Sequence, residues 1–382
     1  MSEIGYNDNV NVNGRTFHVQ TGSNISKGLA RCEVFEGGKL ITSQVLEFER
    51  RKAQDEESLE KRIRKTVSGL HQETIAEIDL MFQIAEKIKK LKHAPSNIKL
   101  GQIFLNNNLI KDAVEQFETA LSMDPDSAAA LNNLGLAYIK IGQNAKAIKY
   151  FSKALEKGQP YADIYHNLGL AYLNEQKHYK ALINFQESLR INPGYLKTHY
   201  NLIIVYLKSV LTDKSDKLLP PPSIRMERAR QQLSKMAVAE NNVFDTIYPS
   251  VVSALDHSEL EKAIQILEKN RDNVFPTDVL SLIGMDFYLK FMYGGKGLNN
   301  EMISRFEKQL YKAVDEHPEY ADLWNNLGIV HLIQCRNLFL KALSEFDHAL
   351  EINPAFGKAR KNKKLVENDG KEFLILLRAI LR

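Results

Sequence analysis

Cysteine is scarce: Cys32 and Cys335 are the only two in 382 residues. That excludes a disulfide-stapled scaffold and any zinc site built on paired cysteines, and it suits a reducing compartment. An excess of charge is also missing. Lys and Arg number 51 against 47 Asp and Glu, a net of +4, so no overall field draws the chain to nucleic acid or anionic lipid. No run of about 18 uncharged apolar residues occurs, so membrane insertion is not expected. The opening MSEIGYNDNV has neither the basic start nor the apolar core of a signal peptide, and a cytoplasmic location is expected.

The signatures of common chemistry are missing too. GQIFLNNNL, GGKGLNN and GLAYIKIGQ lack the Gly-Lys-Ser/Thr ending of a phosphate-binding loop. The basic run KARKNKK over 358–364 has only Phe356 nearby to stack on a base, so no nucleic acid is expected as a partner. Asp55, Glu56 and Glu57 read as a solvated helix start. His18, in the strand-like RTFHVQT, would resemble a Cys-His pair if folding brought it beside Thr21 and Cys32. An enzyme with its site in the first 50 residues is therefore one alternative, and an inert strand histidine is the simpler account. The expectation is a protein that is no enzyme, with no catalytic residue, metal or cofactor.

What is present begins with strand signals. NVNV, Asn13-Gly14 and RTFHVQT read as a tight hairpin. In ARCEVFEGGKLITSQVLEF a Gly37-Gly38 turn sets Glu36 opposite Lys39 and Val34 opposite Ile41. Gly22 to Gly28 reads as the loop between the two hairpins. The composition then switches to charge-dense helix formers, predicting a long helix or helix pair over about 54–92. Its stripe of Ile63, Val67, Leu70, Ile75, Ile78, Leu80, Met81, Ile84 and Ile88 recurs at three- and four-residue steps and needs a partner surface. The first helix of the following segment is the expected partner, and a coiled-coil homo-oligomer through 54–92 is the alternative.

From Ala94 a 34-residue period takes over. Leu100, Gly101, Phe104, Ala113, Phe117, Ala120 and Pro125 recur as Leu134, Gly135, Tyr138, Ala147, Phe151 and Ala154, then as Leu168, Gly169, Tyr172, Ala181, Phe185 and Pro193. A fourth unit opens with His199, Leu202 and Tyr206, but LTDKSDKLLPPPSIR stands where its second helix belongs. Helical patterns return at about 224–240, 243–255 and 258–271, the last with Ala263 and Leu267 as degenerate repeat positions. Residues 278–318 read as a unit with an overlong turn. Residues 321–354 read as a nearly regular one, with Trp324, Leu327, Gly328, Ala342, Phe346, Ala349 and Pro354. The closing KEFLILLRAILR reads as a short cap over the last repeat.

These residues resemble the tetratricopeptide repeat, L-G-x2-Y then A-x3-F then P, strongly over 94–210 and more loosely over 243–365. The resemblance implies a mainly α fold: an α-solenoid of six or seven helical hairpins, preceded by a small β-hairpin domain and a long connecting helix. The expected domains are a β domain over 1–50, a helical connector over 51–93, a repeat block over 94–210, a proline-rich insert and helix over 211–242, and a second, partly degenerate block with its cap over 243–382.

Such arrays resemble one another in holding an extended or helical segment of a partner protein in the groove lined by first helices. The sixth residue of successive first helices is Lys99, Asn133, Asn167 and Asn201, with Asn326 in the late repeat. An asparagine ladder matches the alternating C=O and N–H of a peptide main chain, or it ties one helix to the next. Further inner positions are Gln102, Asn106, Asn132, Lys140, His166, Asn174, Lys197, Tyr200 and Lys208. Where the carboxylate-clamp variant of the family needs basic residues and asparagine, this chain has Ile98, Gln102, Asp163 and Asn167; a partial match from Asn132 includes Lys197. The expected function is a non-enzymatic adaptor or scaffold that binds a partner polypeptide, accessory to a bacterial assembly or secretion system. A regulator hinged at the 211–224 insert is the other alternative.

Overall fold

The two glycine-containing turns close as the strand pattern requires. Asn13 (φ 52°) and Gly14 (φ 73°) both take the left-handed conformation, as do Gly37 (φ 55°) and Gly38 (φ 78°), the geometry a two-residue hairpin turn needs. Strands β1 (Gly5–Val12), β2 (Arg15–Asn24), β3 (Leu29–Glu36) and β4 (Lys39–Glu47) form one antiparallel meander. Two expectations are corrected here. The expected loop at 22–28 shrinks to the residues between Asn24 and Leu29, because Gly22 pairs with Arg31 inside the ladder. Glu36 does face Lys39, but Val34 faces Thr42 and not Ile41, since a bulge lies between Val34 and Phe35; one extra residue on one strand shifts every later pair.

The computed structural model describes residues 3–48, 56–158, 161–213, 216–238, 242–275, 286, 288–290, 292–294, 300–316 and 321–380. The chain forms two units, one of Met1–Ile75 with Ile88–Asp278 and one of Ala76–Lys87 with Val279–Arg382.

In the first unit, Phe17, Val19, Ala30, Cys32 and Val34 are buried at alternate positions, so one face of the sheet is core. Helix α1 (Glu56–Leu91) meets that face at His71, whose Nδ1 lies 2.8 Å from Thr21 Oγ1 and whose Nε2 lies 2.9 Å from Asp8 Oδ2. The sequence predicts the first repeat helix as the partner of the α1 stripe; the structure places the sheet there at His71. Arg15 ties the sheet to the repeats, donating to both Glu36 carboxylate oxygens at 2.6 and 2.8 Å and to Asp112 at 2.6 Å.

Five helical hairpins follow: α2 (Ala94–Asn106) with α3 (Ile110–Met123), α4 (Ala128–Lys140) with α5 (Asn144–Lys157), α6 (Ala162–Asn174) with α7 (His178–Ile191), α8 (Leu196–Thr212) with α9 (Pro222–Val238), and α10 (Asn242–Asp256) with α11 (Leu260–Val274). Four of the five turns share one device. Asn108, Gly142, Gln176 and Ser258 have positive φ, and the next amide reaches back to the first helix: Leu109 to Phe104, Gln143 to Tyr138, Lys177 to Tyr172 and Glu259 to Ala254, at 2.8 to 2.9 Å. This C-terminal motif satisfies the orphaned carbonyls and reverses the chain. It makes 243–271 a fourth hairpin of the same construction.

The fifth turn is the proline-rich insert. Here the expectation is corrected, because the second helix of that unit is displaced and not replaced. Pro222 begins α9, where a missing N–H costs nothing. Buried Leu219 joins the core, and buried Arg225 donates to the Ser209 and Asp213 carbonyls at the end of α8. Asp213 also pairs with His178 of the preceding hairpin at 2.6 Å. These bonds anchor the insert to both neighbours.

The second unit contains α12 (Asn300–Glu316), α13 (Ala321–Ile352) and α14 (Gly357–Ile380). Ile303, Phe306, Leu310 and Val314 of α12 pack on Leu323, Leu327, Val330 and Ile333 of α13. The first half of the unit predicted at 278–318 lies mostly outside the described residues, as do most side chains of the expected cap at 371–382. The hairpin predicted over 321–354 is corrected outright: α13 is one unbroken helix. The residues at its expected turn, IQCRNLFLK over 333–341, contain no Gly or Pro, and none takes positive φ, so nothing interrupts the helix. Among the described residues no helix is long and apolar enough to cross a membrane.

Candidate functional site

Each repeat hairpin closes on a glycine. A methyl group on Gly101, Gly135 or Gly169 would come within 2.5, 2.5 and 2.7 Å of the rings of Phe117, Phe151 and Phe185. This fixes which face of each first helix meets its own second helix, and it leaves the opposite face of α2, α4 and α6 turned inward. Those inner faces line a cavity of about 910 Å³, within the range that encloses a bound group.

Of the residues chosen from sequence, Gln102, Asn132, Asn133, His166, Asn167, Lys197 and Asn201 line this cavity. The amides link one repeat to the next. Gln102 donates to Asn133 Oδ1 at 3.3 Å, Asn167 donates to Asn132 Oδ1 at 3.0 Å, and Asn132 donates to Asp163 at 3.2 Å. Asn133 and Asn201 also bond back to their own helices, at the Ala129 and Lys197 carbonyls. Each amide spends one N–H on the scaffold and keeps a second. Asn201 Oδ1 is buried with no hydrogen-bond partner among the described residues.

The end wall comes from α11, which sequence reasoning did not place. Arg271, Asp272 and Phe275 line the cavity beside Lys197 and Asn201. This position corrects Tyr200. Assigned to the inner surface, it is fully buried, its hydroxyl donating to the Leu267 carbonyl at 2.6 Å and its ring meeting Phe244 and Phe275 edge-on. Lys208 is likewise claimed by Glu268 of α11 at 2.7 Å. Lys140 donates to the Leu105 carbonyl and exposed Asn174 to Asn144; neither they nor Lys99 line the cavity. Asn106, by its exposure, faces solvent. Ala263 and Leu267, buried at repeat spacing, were the available signal that α11 is a repeat helix, but not that it crosses the inner face of α8.

The electrostatics of the wall are mixed. Burial holds the His166 imidazole far below its usual range, at about 3, with the positive charges of Lys197 and Arg271 pushing the same way. Its Nδ1 lies 2.8 Å from Thr198 Oγ1. Burial pushes the Tyr195 hydroxyl up to about 12, helped by Asp163. The Nε of Arg271 is buried with no hydrogen-bond partner among the described residues. The inner wall therefore combines neutral amides, cationic Lys197 and Arg271, and the carboxylates of Asp163 and Asp272.

The possibility of a nucleophile in the first 50 residues resolves differently. His18 is exposed and bonds Asn9 at 3.0 Å, on the sheet face opposite Cys32. The residues that do converge are Cys32, Thr21, His71 and Asp8, with Thr21 Oγ1 3.0 Å from Cys32 Sγ. Cys32 and His71 are wholly buried and Thr21 is 1% exposed, so this chain of hydrogen bonds pins α1 to the sheet beyond the reach of a substrate. Thr21→Val should cost about 1–3 kcal/mol, because it strands the buried imidazole nitrogen. Thermal unfolding followed by circular dichroism would measure it, and an unchanged transition would remove the pinning role. Among the described residues no His/Cys/Asp/Glu group could hold a metal ion.

Comparison with known families agrees with the geometry. Tetratricopeptide-repeat models match residues 98–163 and 162–195. Residues 98–195 are tetratricopeptide repeats. As a class, tetratricopeptide repeats are interaction scaffolds, and these sit behind an additional four-stranded sheet. No curated protein matches the sequence. Similar solved structures include YrrB, described as a tetratricopeptide-repeat protein with an unusual peptide-binding site, at 19% identity, 52% coverage of this chain and 95% of that one, and a TM-score of 0.34. Others are MamA of Desulfovibrio magneticus, at 18% identity with 50% and 100% covered and a TM-score of 0.37, and a tetratricopeptide-repeat protein of Parabacteroides merdae, at 19% with 72% and 98% covered and a TM-score of 0.35.

Proposed function

We propose that this tetratricopeptide-repeat chain is a non-enzymatic adaptor whose inner groove holds a segment of a partner polypeptide. The observation that supports this reading most is the cavity of about 910 Å³ along the inner faces of α2, α4 and α6. Its walls carry amides already oriented by inter-repeat hydrogen bonds. Preorganised donors lose little freedom on binding, which favours affinity. The remaining N–H groups of Asn133 and Asn167 suit main-chain carbonyls, Asn201 Oδ1 suits a main-chain N–H, and Lys197 with Arg271 suits a carboxylate at the α11 end. Binding is then read from the main chain first and from side chains second. A reducing cytoplasm suits the free thiols, and the adaptor reading includes an accessory role in a bacterial assembly or secretion system.

Site-specific photo-crosslinking tests the groove. A photoreactive amino acid at Leu136 or Leu170, both in the cavity wall, should capture one and the same polypeptide, and Asn133→Ala with Asn167→Ala should reduce that capture tenfold or more. The same group at exposed Lys153 on α5 should not capture it. Equal capture from Lys153, or none from the groove, would overturn the assignment.

A further inference from the structure

β1 and β4 are the edges of the sheet, each pairing on one side only. An edge strand presents a row of unpaired N–H and C=O groups, which natural sheets blunt with lysine, proline, a bulge or a covering segment. β4 is blunted. It starts at Lys39, a bulge interrupts its pairing with β3, and the Leu40 carbonyl accepts from Asn108 at 3.1 Å. β1 has none of these devices: GYNDNVNV contains no Lys, Arg or Pro, and its register with β2 is unbroken from Gly5↔Gly22 to Val12↔Arg15.

The Asn13-Gly14 turn fixes which groups of β1 are free. It makes Val12 and Arg15 a hydrogen-bonded pair, and such pairs alternate along an antiparallel ladder. Val10, Asp8 and Tyr6 therefore bond to β2, while Asn11, Asn9, Asn7 and Gly5 turn their N–H and C=O groups away from it. The Ser23 N–H donating to the Ile4 carbonyl at 2.9 Å continues the same alternation. All four outward residues are exposed. Asparagine at 7, 9 and 11 runs against strand propensity, so the strand itself does not account for it. Asn9 Oδ1 lies 3.0 Å from His18 Nδ1, and Asn11 Oδ1 accepts from Thr16 Oγ1 at 2.7 Å; each carboxamide keeps its N–H donors.

We propose that the β1 edges of two copies of this chain pair antiparallel, joining two four-stranded sheets into one. The alternation allows only registers that set the outward residues opposite one another. Centring the pair on Asp8 would bring two carboxylates face to face, which is unfavourable, and centring it on Asn7 or Val10 overlaps fewer residues. Centring it on Asn9 sets Tyr6 opposite the partner's Val12, Asn7 opposite the partner's Asn11 and Asp8 opposite the partner's Val10. The free N–H and C=O groups of Asn7, Asn9 and Asn11 are then all matched. Their side chains stand in a row across the joint on the outer face, and because a carboxamide both donates and accepts, identical residues complement one another. The contact is two-fold and closes at a dimer, with the blunted β4 strands as its outer edges. It uses neither the groove nor the α1 stripe.

Light-scattering mass of the full chain across a concentration series tests this, with circular dichroism as the folding control. Wild type should have the mass of two chains. Asn9→Pro removes an N–H that β2 does not use, and Asn9→Lys sets like charges at the axis; each should have the mass of one chain at an unchanged spectrum. Cys32 is wholly buried, so a Cys335→Ala background leaves no accessible thiol. In it, Asn9→Cys should form an interchain disulfide under mild oxidation, because a hydrogen-bonded pair holds its Cα atoms about 5.5 Å apart, inside the span of a disulfide. Asn7→Cys should stay unlinked, since its neighbour in this register is Asn11. A wild-type mass of one chain throughout, a dimer indifferent to both Asn9 variants, or a dimer that crosslinks through Asn7→Cys and not through Asn9→Cys would each overturn the proposal.

Discussion

Gly135→Leu is expected to destabilise the repeat block by about 2–3 kcal/mol, the upper part of the range for overpacking a core. The first atom of the new side chain would stand 2.5, 2.7 and 2.7 Å from three carbons of the Phe151 ring. That ring is fully buried and lies between α4 and α5, so relief requires the two helices to separate. Separation would also disturb the Schellman-type turn at Gly142 and the stacked pair of Tyr138 and Tyr150, 5.4 Å apart. The same change at Gly328 meets open space and gains helix propensity of about 0.8 kcal/mol. Urea unfolding followed at the tyrosines should show an earlier midpoint for Gly135→Leu alone. Equal behaviour of the two variants would show that the glycine–ring contact does not hold the hairpins shut.

Acidification is expected to unfold the repeat block through His166. In the folded chain its pKa is about 3, against 6.5 for the ordinary imidazole, so the unfolded chain takes up a proton between these values and the folded chain does not. The unfolded state binds more protons, and stability therefore rises with pH across that window. His166 imposes no penalty above about pH 6.5, and the loss accumulates as pH falls toward 3, reaching on the order of 4 kcal/mol. His166→Gln, which cannot titrate but can still hydrogen-bond Thr198, should flatten this dependence, as measured by denaturant midpoints from pH 4 to 7. An unaltered pH profile would mean that other groups dominate. His166 lines the groove, so an anionic group bound beside Lys197 and Arg271 should raise its pKa and lessen the acid sensitivity.

Much of the repeat architecture was legible because its determinants are local. Gly101 and Phe117 lie on neighbouring helices of one hairpin, and so do each of the equivalent pairs, so a single 34-residue window contains both the contact and the turn that makes it. The inner amides were legible for the same reason, since one period places them on one face. Tyr200 was misplaced because its exposure depends on α11, 67 residues away at the Leu267 carbonyl, and no repeat pattern reports which face a later hairpin will cover. The late repeat misled in the opposite way. Its side-chain signature was intact, but IQCRNLFLK has no Gly or Pro and none of its residues takes positive φ, so the helix runs on through the expected turn.

The order of the elements, the turn chemistry, the glycine–phenylalanine closures and the inner amide positions were determined by sequence alone, because each rests on residues within a turn or a hairpin of one another. Tertiary structure decided that the sheet, and not a repeat helix, meets α1 at His71, that α11 closes the groove over Tyr200, and that Thr21 and Cys32 are sealed from solvent. Those outcomes depend on which surfaces meet once distant segments pack, and burial of one surface by another far along the chain leaves no periodic trace in either.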